Sequence, residues 1–141
     1  MALYTPQRLS DEVHSALDRA RARRAALTSL PADAPAAGVL ADFDHIRREL
    51  DECGERAGTF SSVHPDEPVR DMAETLEQEL VTFDTELFLD RAIYERLETL
   101  DPATLESDEE VRLLEHSLRD FRRSGVDRDE ATRGRVLELQ R

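Results

Sequence analysis

The most regular apolar pattern in the chain runs from Val69 to Leu100. Apolar residues recur there at alternating spacings of three and four, which is the period of one α-helical face. They are Val69, Ala73, Leu76, Leu80, Phe83, Leu87, Tyr94 and Leu97. More apolar residues fall on other sides between Leu80 and Tyr94, so this helix should be covered from several directions. At about 1.5 Å per residue it would extend about 48 Å, and we predict it as the central helix of the protein.

A second apolar series precedes this helix and repeats at spacings of four and three. It consists of Val39, Phe43, Ile46, Leu50, Cys53, Ala57 and Phe60. The series predicts an amphipathic helix that packs on a neighbour along its length. Gly54 and Gly58 lower its intrinsic helix propensity and suggest tight packing or fraying near its end. The connection from Ser61 to Pro68 is short, with Asp66 as a predicted N-cap, and therefore predicts an antiparallel hairpin with the central helix.

The N-terminal part predicts a first helix with a thinner apolar stripe. Ser10, followed by Asp11 and Glu12, is the predicted N-cap, and the helix should end near Leu30. Its apolar residues are Leu9, Val13, Leu17, Ala20 and Leu27. Residues 31–38 are rich in Pro and Ala and predict a linker between the first and second helices.

Two shorter helices are predicted after the central one. Ser107 and Glu110 form a capping-box pattern, and Gly125 offers a left-handed residue at the end of that helix. Its apolar face carries Val111, Leu114, Leu118 and Phe121. A further capping-box pattern at 127–130 opens a last helix through Val136, Leu137 and Leu139. This helix reaches Gln140-Arg141 without a stop signal, from which we expect the chain to be a piece of a longer protein.

Together these patterns predict an all-α fold, an antiparallel bundle of about five helices with one long central helix. No segment shows the strict alternation of a β-strand. The length suits one domain that covers residues 1–141.

Composition restricts the partners of this bundle. The chain has 19 basic and 32 acidic residues and a formal net charge of −13. Such a charge repels nucleic acid and anionic membrane surfaces, so we expect neither as a partner. No apolar run approaches the roughly 20 residues that cross a bilayer, and we predict a cytoplasmic protein.

Candidate catalytic and metal-binding side chains are scattered along the chain. Zinc hydrolases often carry His-Glu-x-x-His, with two imidazoles on one helical face. None of the histidines has a second histidine three or four residues away; they are His14, His45, His64 and His116. Asp42 with His45, and Arg112 with His116, share a helical face, but isolated pairs of this kind are usually solvated. We therefore predict no catalytic, cofactor-binding or metal-binding residue.

Other acidic and nucleophilic residues have structural interpretations. Acid pairs such as Glu77 with Glu79 identify no site without a pocket that raises one pKa. Cys53 lies among acidic neighbours, which disfavour a reactive thiolate, and its place in the apolar series predicts a small buried side chain. Asp90 is the polar interruption of the central series. We interpret it as a helix-end residue or as one partner of an ion pair with Arg91, Arg119 or Arg122, rather than as a catalytic group.

Three segments resemble the N-terminal helical region of the thimet-oligopeptidase-like zinc metallopeptidases, a family that includes oligopeptidase A, peptidyl-dipeptidase and neurolysin. The segments are SVHPDEPVRDMAETLEQEL, FDTELFLDRAIYERL and LLEHSLRDFRRSGVDRDEATRGRVLELQ. Their matching features are Pro65-Asp66 with Val69-Arg70, Phe83-Asp84 with Glu86, Tyr94, Leu114-Glu115, Arg122-Arg123 and Gly125. The resemblance covers roughly residues 39–141 and keeps the order and spacing of these features.

The resemblance implies an almost wholly α-helical parent with a deep channel between two lobes. Members of the family cleave short peptides with zinc held by a His-Glu-x-x-His helix and a downstream Glu. No such motif occurs in this chain, so no catalytic residue of the family can be assigned to it. The implied partners are the rest of the parent polypeptide and, for that parent, short peptides. Zinc is expected only in the catalytic part, and the implied role of this segment is scaffold and channel wall, inactive by itself.

One alternative reading is a stand-alone helical protein-interaction module without enzymatic activity. Such a module would bind a partner, or associate with itself, through exposed apolar faces.

Overall fold

The computed structural model describes residues 4–139, and its secondary structure over this range is entirely helical. The helices are α1 (Pro6–Thr28), α2 (Ala36–Val63), α3 (Glu67–Phe88), α4 (Arg91–Glu98), a 3₁₀ helix (Pro102–Thr104), α5 (Asp108–Ser124) and α6 (Glu130–Leu139). The predicted all-α bundle is confirmed, with one α-helix more than the expected five within the described range.

Helix α1 begins earlier than its sequence pattern suggested. The Thr5 hydroxyl oxygen accepts a hydrogen bond from the Arg8 amide at 3.1 Å, and Pro6 occupies the first helical position. The predicted cap at Ser10 is therefore wrong, because Ser10 lies inside α1. A proline at this position lacks only an amide that would be unpaired anyway. The connection to α2 covers residues 29–35, so the predicted linker at 31–38 extends too far and its last three residues are helical.

Helices α2 and α3 form the predicted antiparallel hairpin. Their connection is His64–Asp66, shorter than the predicted one, because α2 continues to Val63. Arg70 donates hydrogen bonds to the carbonyl oxygens of His64 at 2.6 Å and of Pro65 at 3.0 Å, and thereby holds the connection. Asp66 occupies the N-cap position as predicted, but its carboxylate makes no capping hydrogen bond.

Gly54 and Gly58 in α2 have neither of the predicted roles. Helix α2 is regular through Gly54 and Gly58 and ends five residues later, at Val63. A Cβ atom at either glycine would meet no atom within 4 Å. The helix therefore neither packs tightly at these positions nor frays there.

The predicted single helix from Val69 to Leu100 is wrong, because the chain turns at Asp90. Helix α3 ends at Phe88, and α4 begins at Arg91. The Asp90 carboxylate accepts hydrogen bonds from the amides of Ala92 at 3.0 Å and Ile93 at 3.2 Å, which are typical N-cap bonds. These bonds compete with continuation of α3.

The hydrophobic core lies where α1 and the α2–α3 hairpin pack against one another. An aromatic cluster attaches α5 to this core, because the Phe121 ring lies 4.9 Å from Phe88, 5.6 Å from Phe43 and 5.8 Å from Tyr94 between centroids. Phe121 itself is fully buried. The cluster therefore joins residues from four helices.

The caps of α5 follow the sequence pattern closely. The Ser107 hydroxyl oxygen accepts a hydrogen bond from the Glu110 amide at 3.2 Å, and the Glu110 carboxylate accepts one from the amide of Glu106 at 2.9 Å. Gly125 ends the helix in the left-handed conformation with φ of 95°. The predicted Ser107 cap and the left-handed Gly125 are confirmed. In the capping box, the Glu110 carboxylate bonds to the amide of Glu106 instead of that of the N-cap residue Ser107.

The start of α6 differs from its prediction. The Asp129 carboxylate, rather than that of Asp127, accepts a hydrogen bond from the amide of Thr132 at 2.7 Å. Helix α6 then runs to Leu139, and the predicted continuation through Gln140-Arg141 lies outside the described residues.

Substitution of Phe83 tests the placement of the core. Phe83 is 2% exposed in α3, so Phe83→Asp would bury a carboxylate and remove an aromatic ring. We expect the free energy of unfolding to fall by at least about 3 kcal/mol. Val81→Asp is the control, because Val81 lies in the same helix and is 50% exposed. Urea unfolding, monitored by circular dichroism, gives the stability of each variant. Equal midpoints for Phe83→Asp and Val81→Asp would show that the core is misplaced.

A pair of glycine substitutions tests the cap of α5. Gly125→Ala places a side chain at φ of 95° and should lower the free energy of unfolding by about 1 kcal/mol. Gly58 lies inside α2, where a Cβ would meet no atom within 4 Å. Gly58→Ala should therefore raise the free energy of unfolding by about 0.5–1 kcal/mol. Thermal unfolding of both variants checks the opposite signs; two shifts in the same direction would contradict this cap.

Candidate functional site

The four histidines lie on separate elements of the structure. His14 is in α1, His45 in α2, His64 just after α2 and His116 in α5. The Nδ1 atom of His64 accepts a hydrogen bond from the Asp66 amide at 3.1 Å, which gives it a role in the α2–α3 connection. His116 contacts Arg119 one turn further along α5.

These positions do not fit the zinc site that the family resemblance implies for a complete enzyme. Within residues 4–139 no group of three or more His, Cys, Asp or Glu side chains could hold a metal ion. No zinc chemistry is therefore assigned to the described residues, and the absence of bound zinc remains a prediction.

Three side chains form a hydrogen-bonded series that the sequence patterns did not indicate. The Ser10 hydroxyl lies 3.0 Å from Nδ1 of His14, and Nε2 of His14 lies 2.6 Å from a carboxylate oxygen of Glu79. Serine, imidazole and carboxylate in this order are the components of a hydrolytic triad. The spacing of Ser10 and His14 was visible in the sequence, but Glu79 is 65 residues from His14 and is brought there by packing of α3 on α1.

The surroundings of this series do not suit acyl transfer. A hydrolase needs free amide donors where the oxyanion of the intermediate forms. Ser10 lies inside α1, where amides are bonded within the helix; the amides of Arg8 and Leu9 also bond to Thr5. The side chains of His14 and Glu79 are 46% and 42% exposed. We interpret the series as a polar link between α1 and α3.

Asp90 follows α3 directly and joins α1 to α4 through its carboxylate. Besides capping α4, it accepts a hydrogen bond from Nε of Arg24 in α1 at 2.6 Å, and the two side chains are only 15% and 29% exposed. The predicted structural ion pair is confirmed, but the predicted partners are wrong. Arg91 instead pairs with a glutamate one turn along α4, Arg119 contacts a histidine, and Arg122 donates to a tyrosine hydroxyl.

Cys53 lies in a surface concavity between α1 and α2 and is half-buried, so it is less buried than predicted. Burial raises the pKa of the Cys53 thiol above its ordinary value, and the nearby Arg56 partly offsets this effect. A raised pKa keeps the group as a thiol at neutral pH, which is the wrong state for a nucleophile.

A groove between α2 and α3 combines apolar and acidic side chains. We call it the α2–α3 groove; its volume is about 570 Å³, and it is lined by Arg47, Leu50, Asp51, Gly54, Glu55, Leu80, Val81, Asp84 and Thr85. Nη1 of Arg47 lies 2.7 Å from Oδ1 of Asp84, and its guanidinium lies 4.5 Å from the Phe88 ring centroid. Burial raises the pKa of Asp84, Arg47 opposes that effect, and the Asp51 carboxylate adds to it.

The groove continues into a second concavity between α3, α5 and α6. The two share Asp84 and Thr85, and the second is lined further by Phe88, Leu89 and Val136, among others. The two concavities together form one continuous surface along α3.

Comparison with known proteins does not assign the chain to a family. No protein family matches it, and a search of curated proteins finds no matching relative. Among the described residues, no helix has the length and apolar character needed to cross a membrane.

Substitutions at Asp90 separate its two roles. Asp90→Asn retains a capping oxygen but loses the ion pair with Arg24, so we expect the free energy of unfolding to fall by about 1 kcal/mol. Asp90→Ala loses both the cap and the ion pair, and the free energy of unfolding should fall by about 2 kcal/mol. In an Arg24→Met background the effect of Asp90→Asn should nearly vanish. Urea unfolding of the four variants measures the coupling, and an equal effect of Asp90→Asn in both backgrounds would exclude a stabilising pair.

Proposed function

We propose that this chain is a helical segment of a thimet-oligopeptidase-like zinc metallopeptidase, in which it supplies scaffold and part of the wall of the substrate channel. The observation that carries the proposal is the ordered resemblance of three segments, which cover residues 62–80, 83–97 and 113–140. In this proposal a separate catalytic part of the full-length metallopeptidase hydrolyses the short peptides. A cytoplasmic location belongs to the same proposal and is supported by the single cysteine, which can form no disulfide within the chain.

The contacts of the resembling residues support an architectural role. Arg70 bonds to the carbonyl oxygens of the α2–α3 connection. Tyr94 in α4 accepts a hydrogen bond from Nε of Arg122 in α5 at 3.0 Å, and the guanidinium lies 5.8 Å from the tyrosine ring centroid. Gly125 ends α5. These four residues of the resembling segments therefore fix how helices connect and pack, as the wall of a channel requires.

In this proposal the catalytic part of the parent would hold the zinc, which would supply Lewis-acid activation of water there. None of residues 4–139 is assigned as a zinc ligand in this proposal. Their contribution is to keep the helices in a fixed arrangement beside the channel.

The proposal predicts that the purified chain contains no stoichiometric zinc and hydrolyses no reporter peptide. Elemental analysis and a fluorogenic peptide assay with and without a chelator measure both properties. One firmly bound zinc per chain, with hydrolysis that the chelator abolishes, would overturn the proposal. The coding sequence after Arg141 gives an independent check, because it should continue to a His-Glu-x-x-His motif.

A stand-alone helical interaction module is the second candidate. The observation in its favour is the exposed apolar surface, since Val81 is 50% and Val63 is 71% exposed. A stop codon directly after Arg141 would favour this candidate over the metallopeptidase segment.

A further inference from the structure

We propose that the α2–α3 groove binds a basic amphipathic helix of a partner protein. The inference gives the interaction-module candidate a class of partner and rests on the groove alone. It can therefore fail without affecting the metallopeptidase proposal, whose test is zinc content and coding sequence.

The floor of the groove can accept apolar side chains. Leu50 and Leu80 are each 6% exposed at its base, whereas Val81 is 50% exposed beside them. Gly54 contributes no side chain, and a Cβ there would meet no atom within 4 Å. An apolar side chain of a partner would therefore cover Val81 and fill open space over Gly54, which is favourable in proportion to the apolar area buried.

The rim of the groove favours positive charge in the partner. Asp51 and Glu55 are exposed and lie one turn apart on α2, where like charges disfavour each other. Asp84 faces them from α3, and its one cationic neighbour among the groove residues is Arg47. Within the α2–α3 groove three carboxylates face one guanidinium, and Arg123 adds a second cation only in the continuation. The groove itself is therefore net negative, and a lysine or arginine of a partner would relieve this repulsion.

The length of the surface matches a helix rather than a single side chain. From Leu80 to Leu89, α3 lines the groove and its continuation over about 14 Å, with Phe88 and Leu89 near the far end. Two to three turns of a partner helix would lie along this distance, with anchors at spacings of three and four residues.

A second copy of this chain is disfavoured as the occupant. Each chain carries a net charge of −13, so two copies repel one another, and a copy would bring its own acidic surface against an acidic rim. A basic helix gains from the same charges.

The test uses the full chain and a labelled synthetic peptide of about 18 residues, long enough to form a helix on binding. The peptide carries leucines on one face and lysines beside them; a matched peptide has glutamates in place of the lysines. Fluorescence anisotropy should show saturable binding of the basic peptide only, weakening as salt screens the charges.

Two charge-matched variants locate the binding site. Val81→Arg should weaken binding of the basic peptide at least about tenfold, as expected for loss of a central apolar anchor. Val63→Arg adds the same charge at the 71%-exposed end of α2, outside the groove, and should change Kd by less than about twofold. Circular dichroism verifies that both variants fold.

Three results would overturn the inference. They are equal affinity for the basic and acidic peptides, equal effects of Val81→Arg and Val63→Arg, or sedimentation equilibrium showing a dimer that Val81→Arg dissociates. The last result would make a second copy the occupant.

Discussion

The carboxylate of Asp90 sets the direction of the chain after α3, and much of the arrangement depends on it. One oxygen accepts the first amides of α4, and the other holds Arg24 of α1. A charge in so little water is favourable only when such partners surround it. Because the bonds to the α4 amides form only when the chain turns, a continuous helix through Asp90 would leave the carboxylate without them.

The turn at Asp90 determines what α4 and α5 can contact. After it, Ile93 and Leu97 enter the core completely, and Tyr94 meets Phe121 and Arg122 of α5. Helix α4 thereby packs on α1 and α5.

Local sequence signals predicted those features that depend on a few neighbouring residues. The cap at Ser107, the left-handed Gly125 and the periodic faces of α2 and α3 follow from propensity and spacing, and the structure has them. Asp90 was misread because apolar residues kept the helical period across it, so the periodicity outweighed the capping chemistry of one aspartate. The Thr5–Pro6 start was missed because Ser10 offered a competing cap signal.

The candidate sites were less predictable, since they depend on residues distant in sequence. Arg24 and Asp90 are 66 residues apart, and His14 and Glu79 are 65 apart. Many arginines and glutamates in this composition could have filled either role, so charge pattern alone cannot select the pair. The α2–α3 groove likewise arises from how two helices pack, although its acidic residues were visible individually.

The structure uses its carboxylates in two different ways. Asp90 is enclosed and fully bonded, so its charge contributes to the fold. Asp51 and Glu55 lie exposed on one side of α2. Asp84 faces them across the groove, where burial is the main cause that raises its pKa and the Asp51 carboxylate adds to the effect. Neighbouring carboxylates of this kind oppose folding slightly, and a further cation beside Arg47 would reduce their repulsion. The proposed contact with a basic helix depends on these exposed charges, whereas the fold depends on the enclosed one.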